Sequence, residues 1–243
     1  RTATTRLGNY CQIFKNAVVV PDTDKGLTKA GRASEMAYQV LKIAKEQKLD
    51  IEKALFDNNA QVAGNATTAR EMAGTETWFT STIQNKGSGG AHAAGTGANA
   101  RTDGTQSVFN QTKFDAIMQN CWDKGGKPDS VYLSAYLMNL ALAFTGNNNQ
   151  RSTVQAGDKK VIKSLDVYVT PWGTIEFIPS RENRGRTVHV MQDDMWAVAV
   201  LRGTKNVELA KTGDNTTRQV VTELTLVAKN EKSSGLGVDF STS

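Results

Sequence analysis

Catalysis needs reactive side chains that converge, and this chain offers few: two histidines and two cysteines in 243 residues. His92 lies in a Gly/Ala-rich stretch where its expected role is none, and His189, between Val188 and Val190, reads as a hydrogen-bonded structural histidine. Cys11 and Cys121 are too few for a disulfide framework and too far apart for a zinc knuckle, and neither histidine lies near a cysteine at metal-binding spacing. Both cysteines read as buried thiols made in a reducing compartment. The string GTGANA at residues 95–100 formally matches the dinucleotide fingerprint. That fingerprint works only where the glycines follow a strand and open a helix, and here low-complexity sequence lies on both sides. Asp193 and Asp194, the adjacent acidic pair, read as a cap or turn. No catalytic residue, metal site or cofactor is expected.

The remaining cluster is Arg181, Arg184 and Arg186. Guanidinium forks pair bidentately with carboxylates or phosphates, so three of them in a short Gly-containing loop suit the acidic edge of a neighbouring subunit, DNA, or a solvated turn. The overall charge does not decide among these. A net charge of +5 and a pI near 9.1 permit nucleic-acid contact, but 29 basic against 24 acidic residues is a mild imbalance dispersed along the chain. With 39% hydrophobic and 22% charged residues, the composition is that of an ordinary globular protein. No apolar run approaches the roughly 20 residues needed to span a bilayer, so no membrane partner is expected. The chain begins at Arg1 without an initiator Met or a signal-peptide pattern, which reads as the remainder of a longer, trimmed or only partly present polypeptide.

The elements that must position these residues are set by periodicity. Residues 4–20 read as a strand stopped by Pro21, and Asp22, Thr23 and Asp24 are candidate N-caps for a long helix beginning there. Apolar residues at Leu27, Ala30, Ala33, Ala37, Val40, Leu41, Ala44, Ile51 and Leu55 then recur at helical spacing, with lysines and acids on the other face. This predicts one helix of about 30 residues, about 45 Å long, or a shorter one broken near Gly31. A short helical piece is expected around residues 68–78. Six of the 21 glycines then fall within residues 87–104, a segment expected to be exposed and mobile because it has little apolar surface to bury.

Phe109, Phe114, Ile117, Met118, Cys121 and Trp122 predict a second amphipathic helix, ended by Gly125, Gly126 and Pro128. A short strand at residues 131–133 and an apolar helix at 135–144, closed by Gly146 and an Asn run, complete a mixed α/β unit. The strings SLDVYVT and TIEFIP flank a Thr170-Pro171-Trp172-Gly173 turn suited to type I, and further strands are expected at 187–191, 196–201 and 218–228. In the last of these both faces carry apolar groups, which implies a sheet covered on both sides.

Several stretches, TTRLGNYCQIF, AGRASEMAYQ, GNATTAREMAG, DVYVTPWGT, ELAKTGD and LVAKNEKSSG, resemble the major capsid proteins of tailed bacteriophages, in a family long catalogued as a domain of unknown function. The resemblance runs from about residue 4 to 243 and is weakest in the Gly/Ala stretch. It implies an α+β chain with the Hong Kong 97-type capsid fold: a long spine helix and an elongated β-sheet as peripheral domain, and a compact α/β axial domain. The implied division is residues 1–20 as the returning strand of an extended loop, 21–106 as the peripheral domain with the Gly/Ala loop, 107–192 as the axial domain, and 193–243 as strands returning to the peripheral sheet. It further implies copies of the chain joined as hexamers and pentamers into an icosahedral head around double-stranded DNA held non-specifically. Portal and scaffolding or decoration proteins would be partners, and assembly would take place in the bacterial host cytoplasm. On this reading Arg181, Arg184 and Arg186 are subunit-contact residues whose charge reversal would impair shell formation more than folding. The alternatives are an encapsulin-like compartment and a non-assembling basic nucleic-acid-binding protein, the latter disfavoured by dispersed charge and the lack of an aromatic stripe for base stacking.

Overall fold

The computed structural model describes residues 6–28, 30–31, 33–144 and 167–242. Expectations that fall elsewhere, namely residues 1–5, the Asn run after Gly146 and the start of the SLDVYVT strand, lie outside the described residues. Two sheets organise the chain. The first is a three-stranded antiparallel ribbon in which β8 (Asn215–Ala228) lies between β1 (Gln12–Pro21) and β7 (Trp196–Glu208). The second has six strands in the order β2 (Ile83–Gln84), β9 (Gly235–Gly237), β6 (Val188–Met191), β3 (Ser130–Leu133), β5 (Gly173–Pro179) and β4 (Val167–Thr170). Strand β9 follows the ribbon in the chain yet joins the second sheet, so the two halves interlock.

The long helix is broken. A five-residue α1 (Asp22–Gly26) follows directly on β1, Gly31 adopts a left-handed φ of 78°, and the main helix α2 (Glu35–Phe56) restarts at Ser34, whose Oγ accepts from the Ala37 N–H at 3.4 Å. Its 22 residues give about 33 Å instead of the expected 45. The buried stripe is also rotated: Met36, Val40, Ile43, Gln47, Ile51, Ala54 and Leu55 face β1 and β8, while Leu41 is 65% exposed. Gln47 is tolerated among apolar neighbours because its amide donates to the Phe14 carbonyl at 2.8 Å and the Val220 carbonyl at 3.3 Å.

The expectation of a sheet covered on both sides does not hold. Helix α2 covers one face of β1 and β8, whereas Ile13 and Val19 stand exposed on the opposite face and twelve of the 13 residues of β7 are exposed. Strand β8 itself, in the middle of the ribbon, has no exposed residue, with Glu223 and Thr225 buried on the face away from α2, so the open surface belongs to the flanking strands β1 and β7. Strands β7 and β8 lose register twice, between Val200 and Arg202 and between Arg202 and Lys205. At the far tip, Lys211 pairs with Asp22, whose carboxyl is held down at about 2 chiefly by Lys211 and then by Lys25.

The six-stranded half is built differently. Helices α3 (Gln111–Asp123) and α4 (Ala135–Ala141) pack on one face of its sheet, joining Phe114, Ile117, Leu133, Leu137, Phe177, Val190 and Phe240 in one core. On the opposite face Tyr132 and His189 each meet the ring of Phe56, at the end of α2, with centroids 5.1 Å apart. The helical piece expected at 68–78 reduces to a 3-10 turn, Thr75–Trp78. Strand β4 pairs with β5 across the Thr170–Gly173 turn as the sequence indicates. Among the described residues no helix is long and apolar enough to cross a membrane.

Candidate functional site

The loop between β5 and β6 delivers the arginines. Asn183 holds it, donating from Nδ2 to the Tyr132 carbonyl at 3.1 Å and to the Thr187 carbonyl at 3.2 Å, so that Arg184 and Arg186 turn inward. Arg184 meets Glu76 through Nη1 at 2.7 Å and Asp103 through Nη2 at 2.6 Å. Arg186 meets Asp239 at 3.0 Å and Asp103 at 3.2 Å, and donates to the Gly104 carbonyl at 2.6 Å. A third guanidinium, Arg101, has a side chain that is 0% exposed and lies against Glu76 at 3.4 Å, Asp239 at 3.1 Å and Asp103 at 2.5 Å. Arg181 is exposed and forms no ion pair among the described residues.

The trio therefore divides. Two members are neutralised inside the protomer, and one faces outward. Reading from sequence missed Arg101, Glu76, Asp103 and Asp239. A signal was present, because Arg101 and Asp103 are the charged residues of the otherwise neutral stretch 87–104, and a lone opposite-sign pair in such a stretch needs an anchor.

Burial and hydrogen bonds set the charges here. Burial pushes the Glu76 carboxyl up, against the pull of Arg184 and then Arg101. Burial alone would also raise Asp239, but the N–H groups of Gly87 and Gly104, each at 3.0 Å, and the Arg101 guanidinium outweigh it and hold this carboxyl below the usual range. Desolvation would lower the Arg184 guanidinium, but Glu76 and Asp103 keep it above its ordinary value. Such a hub is expensive to break, because removing one partner strands a buried charge.

His189 is fully buried, as a structural histidine would be, but neither ring nitrogen has a hydrogen-bond partner, contrary to expectation. Burial first, then the nearby Arg184 and Arg101, depress its pKa to about 3, so the ring is neutral. His92 is exposed on segment 87–104. Cys121 is a buried free thiol whose pKa burial pushes up to about 12, and Cys11 is half-buried. Residues 95–100 neither follow a strand nor open a helix, so the fingerprint match has no structural counterpart. Asp193 begins a 3-10 turn and accepts from the Ser130 hydroxyl at 2.8 Å, as a turn acid should. No group of three or more metal-ligating side chains occurs among the described residues.

A second feature is apolar. A groove of about 310 Å³ opens between the end of α2, the second sheet and β7, lined by Leu55, Phe56, Tyr132, Met191, Trp196 and Val198 among others. Beside it Val200 and Leu201 stand on the uncovered edge of β7, 58% and 64% exposed. Natural edge strands are usually short, bulged, charged or covered. This one is long, apolar up to Leu201, and bulged and charged only beyond it.

The whole chain has relatives with this architecture. The family model for the SU10 major capsid protein matches residues 1–241. The major capsid protein of Escherichia phage Phieco32 is 25% identical over 262 aligned positions, covering 94% of this chain and 74% of that protein. Among solved structures, the cyanophage A-1(L) capsid asymmetric unit aligns with a TM-score of 0.63 at 11% identity, over 96% of this chain and 78% of the other. The satellite phage P4 procapsid aligns at 0.58 and 10% identity, over 99% and 75%. The holo-SrpI encapsulin complex of Synechococcus elongatus aligns at 0.56 and 11%, over 96% and 75%. These structural likenesses establish the Hong Kong 97-type capsid fold, and with a match across nearly its full length the chain belongs to the SU10 major capsid protein family, the shell-forming subunits of tailed phages.

Proposed function

We propose that this major capsid protein assembles with copies of itself, as hexamers and pentamers, into an icosahedral head that encloses double-stranded DNA. In this reading the ribbon with α2 is the peripheral domain and the six-stranded sheet with α3 and α4 is the axial domain. The observation that carries it is the bare β7 edge with its adjoining groove, a surface that a lone soluble protein would shield and that a neighbouring copy would cover. Heterologous contacts that close by rotation make rings, and rings sharing edges make a shell. Portal and scaffolding or decoration proteins complete the particle in the host cytoplasm, and DNA meets the inner wall through phosphate contacts without sequence readout. The role is structural and not catalytic.

Of the arginine trio, Arg181 is the member we assign to a subunit contact, since Arg184 and Arg186 already have partners within the chain. Size-exclusion chromatography with negative-stain microscopy tests the reading. Large closed particles support it, and Arg181→Glu should reduce their yield without lowering the melting temperature. A monomer at all concentrations, or one that shifts DNA in a salt-sensitive way, would count against it. The encapsulin likeness sustains a second reading, a genome-free compartment. The ultraviolet absorbance ratio of purified particles separates the two, because packed nucleic acid raises it and a protein cargo does not.

A further inference from the structure

Residues 87–104 look from their composition like a loop with nothing to hold it, yet three sets of contacts close it down. Its two arms pair with each other: Ala91 and Thr102 exchange N–H to carbonyl bonds at 3.0 Å, and the Thr105 N–H donates to the Ser88 carbonyl at 3.0 Å. Its base is cinched by one carboxylate, Asp239, which accepts from the N–H of Gly87 and of Gly104. Its middle lies on Trp78. Gly97, at a φ of 73°, passes so close that a Cβ there would sit 2.8 Å from the indole Cζ2, and its carbonyl accepts from the Gln61 N–H at 2.8 Å. The apolar area involved is small, with Ala93 and Gly97 the buried residues on its middle, so polar contacts carry most of the closure.

The charge arrangement around Arg101 gives this segment a second option. Each fixed carboxylate that Arg101 touches is also held by an arginine from the β5–β6 loop: Glu76 by Arg184 at 2.7 Å and Asp239 by Arg186 at 3.0 Å. The third carboxylate, Asp103, belongs to the segment itself and pairs with Arg101. If the segment lifts, one cation and one anion leave together; Asp103 gives up Arg184 and Arg186, and Asp239 gives up the Gly87 and Gly104 N–H groups, but Glu76 keeps Arg184 and Asp239 keeps Arg186. Neither buried carboxylate is left without a cation, so the usual penalty for opening a buried ion pair is reduced. Small buried area and satisfied charges on both sides are the marks of a unit that opens below the free energy of global unfolding.

We infer that residues 87–104 form a latched strap, a unit that opens separately from the rest of the fold, carrying Arg101 and Asp103 out as a pair and uncovering Trp78 and Ala73. The surface so exposed adjoins Leu55, Leu226 and Trp196, which also line the groove beside β7, so strap opening enlarges one continuous apolar face. The strap's opening is a property of the single chain and does not depend on the assembly reading.

Hydrogen exchange followed by mass spectrometry on the unassembled chain tests it. In the wild type, strap amides such as Ala91, Thr102 and Gly104 should exchange at least about ten-fold faster than amides of β3 and β6. Gly97→Ala, which pushes a methyl into the Trp78 ring without touching an ion pair, should speed the strap amides by about a further ten-fold and leave β3 and β6 unchanged. Arg101→Met combined with Asp103→Asn, which removes the paired charges together, should do the same. Strap amides that exchange at the β6 rate in the wild type would overturn the inference, as would a Gly97→Ala protein whose strap is unaffected or whose core quickens equally. Should the double variant fail to fold, the wild type and Gly97→Ala still decide.

Discussion

Among the described residues, sixteen buried side chains of the six-stranded half join in one cluster, including a set of rings around Phe114, whereas the ribbon half is held by separate clusters of three buried residues each along α2. The first half encloses its own core. The second exposes the β7 strand and, on β1, the face turned away from α2. Both halves draw on the same residue types, so hydrophobicity alone does not separate them. What separates them is where the missing layer comes from: helices of the same chain on one side, and on the other a surface still waiting for its cover.

Several substitutions would test this contrast, from the greatest loss of stability to the least. Phe114→Ala removes a fully buried ring that packs on Phe109, Tyr168 and Phe177, and should cost about 3–5 kcal/mol in a denaturant melt. At the seam between halves, His189 is the pH-sensitive element. Its ordinary value of 6.5 falls to about 3 in the fold, so below pH 6.5 the unfolded chain takes up a proton that the native one refuses. Stability present above that pH should fall by about 1.4 kcal/mol per unit on acidification, and His189→Phe should flatten the urea midpoint between pH 6.5 and 5.

At lower pH, Asp239 and Glu231, both held below their usual range, give up their contributions as the pH falls through their native values. Glu76, pushed up by burial, acts in the opposite sense. In the ribbon, Gln47→Ala deletes three buried hydrogen bonds, two given to carbonyls and one accepted from the Thr222 hydroxyl, and should cost about 2 kcal/mol. Ser34→Ala loses the cap of α2 for about 1 kcal/mol or less, seen as a small drop in melting temperature. Val200→Lys should alter monomer stability by no more than about 0.5 kcal/mol yet sharply reduce particle yield in micrographs. A large stability loss there, with particles intact, would erase the distinction between the two halves.

The parts legible in the sequence are those governed by local rules. Helix α3 with its glycine stop, the β4–β5 turn and β8 all follow from periodicity and punctuation. The break before α2 was half visible, since Gly31 flagged it but nothing local said that Ser34 would cap the restart. The rotated face of α2 was not visible, because a buried Gln47 reads as polar until the carbonyls of Phe14 and Val220 are brought to it from positions 33 and 173 residues away. The ion-pair hub was hidden for the same reason. Arg101, Glu76, Arg184 and Asp239 are scattered across four segments, and only the two-sheet topology makes them neighbours.

The two register slips in the β7–β8 ribbon carry a mechanical consequence. The start of the ribbon is a regular ladder, and its tip is tethered to α1 through Lys211 and Asp22, so both ends resist deformation. Between them only the β7 side has missing rungs, because β1 stays paired with β8 from Gln12–Leu224 to Pro21–Asn215 without a break, so it is the outer strand that can yield there. An edge that flexes at one line while its backing ladder stays whole can adjust to a neighbour without unzipping. In the head proposed above, one amino-acid sequence would thus fit both the flat and the sharply bent places of a closed wall.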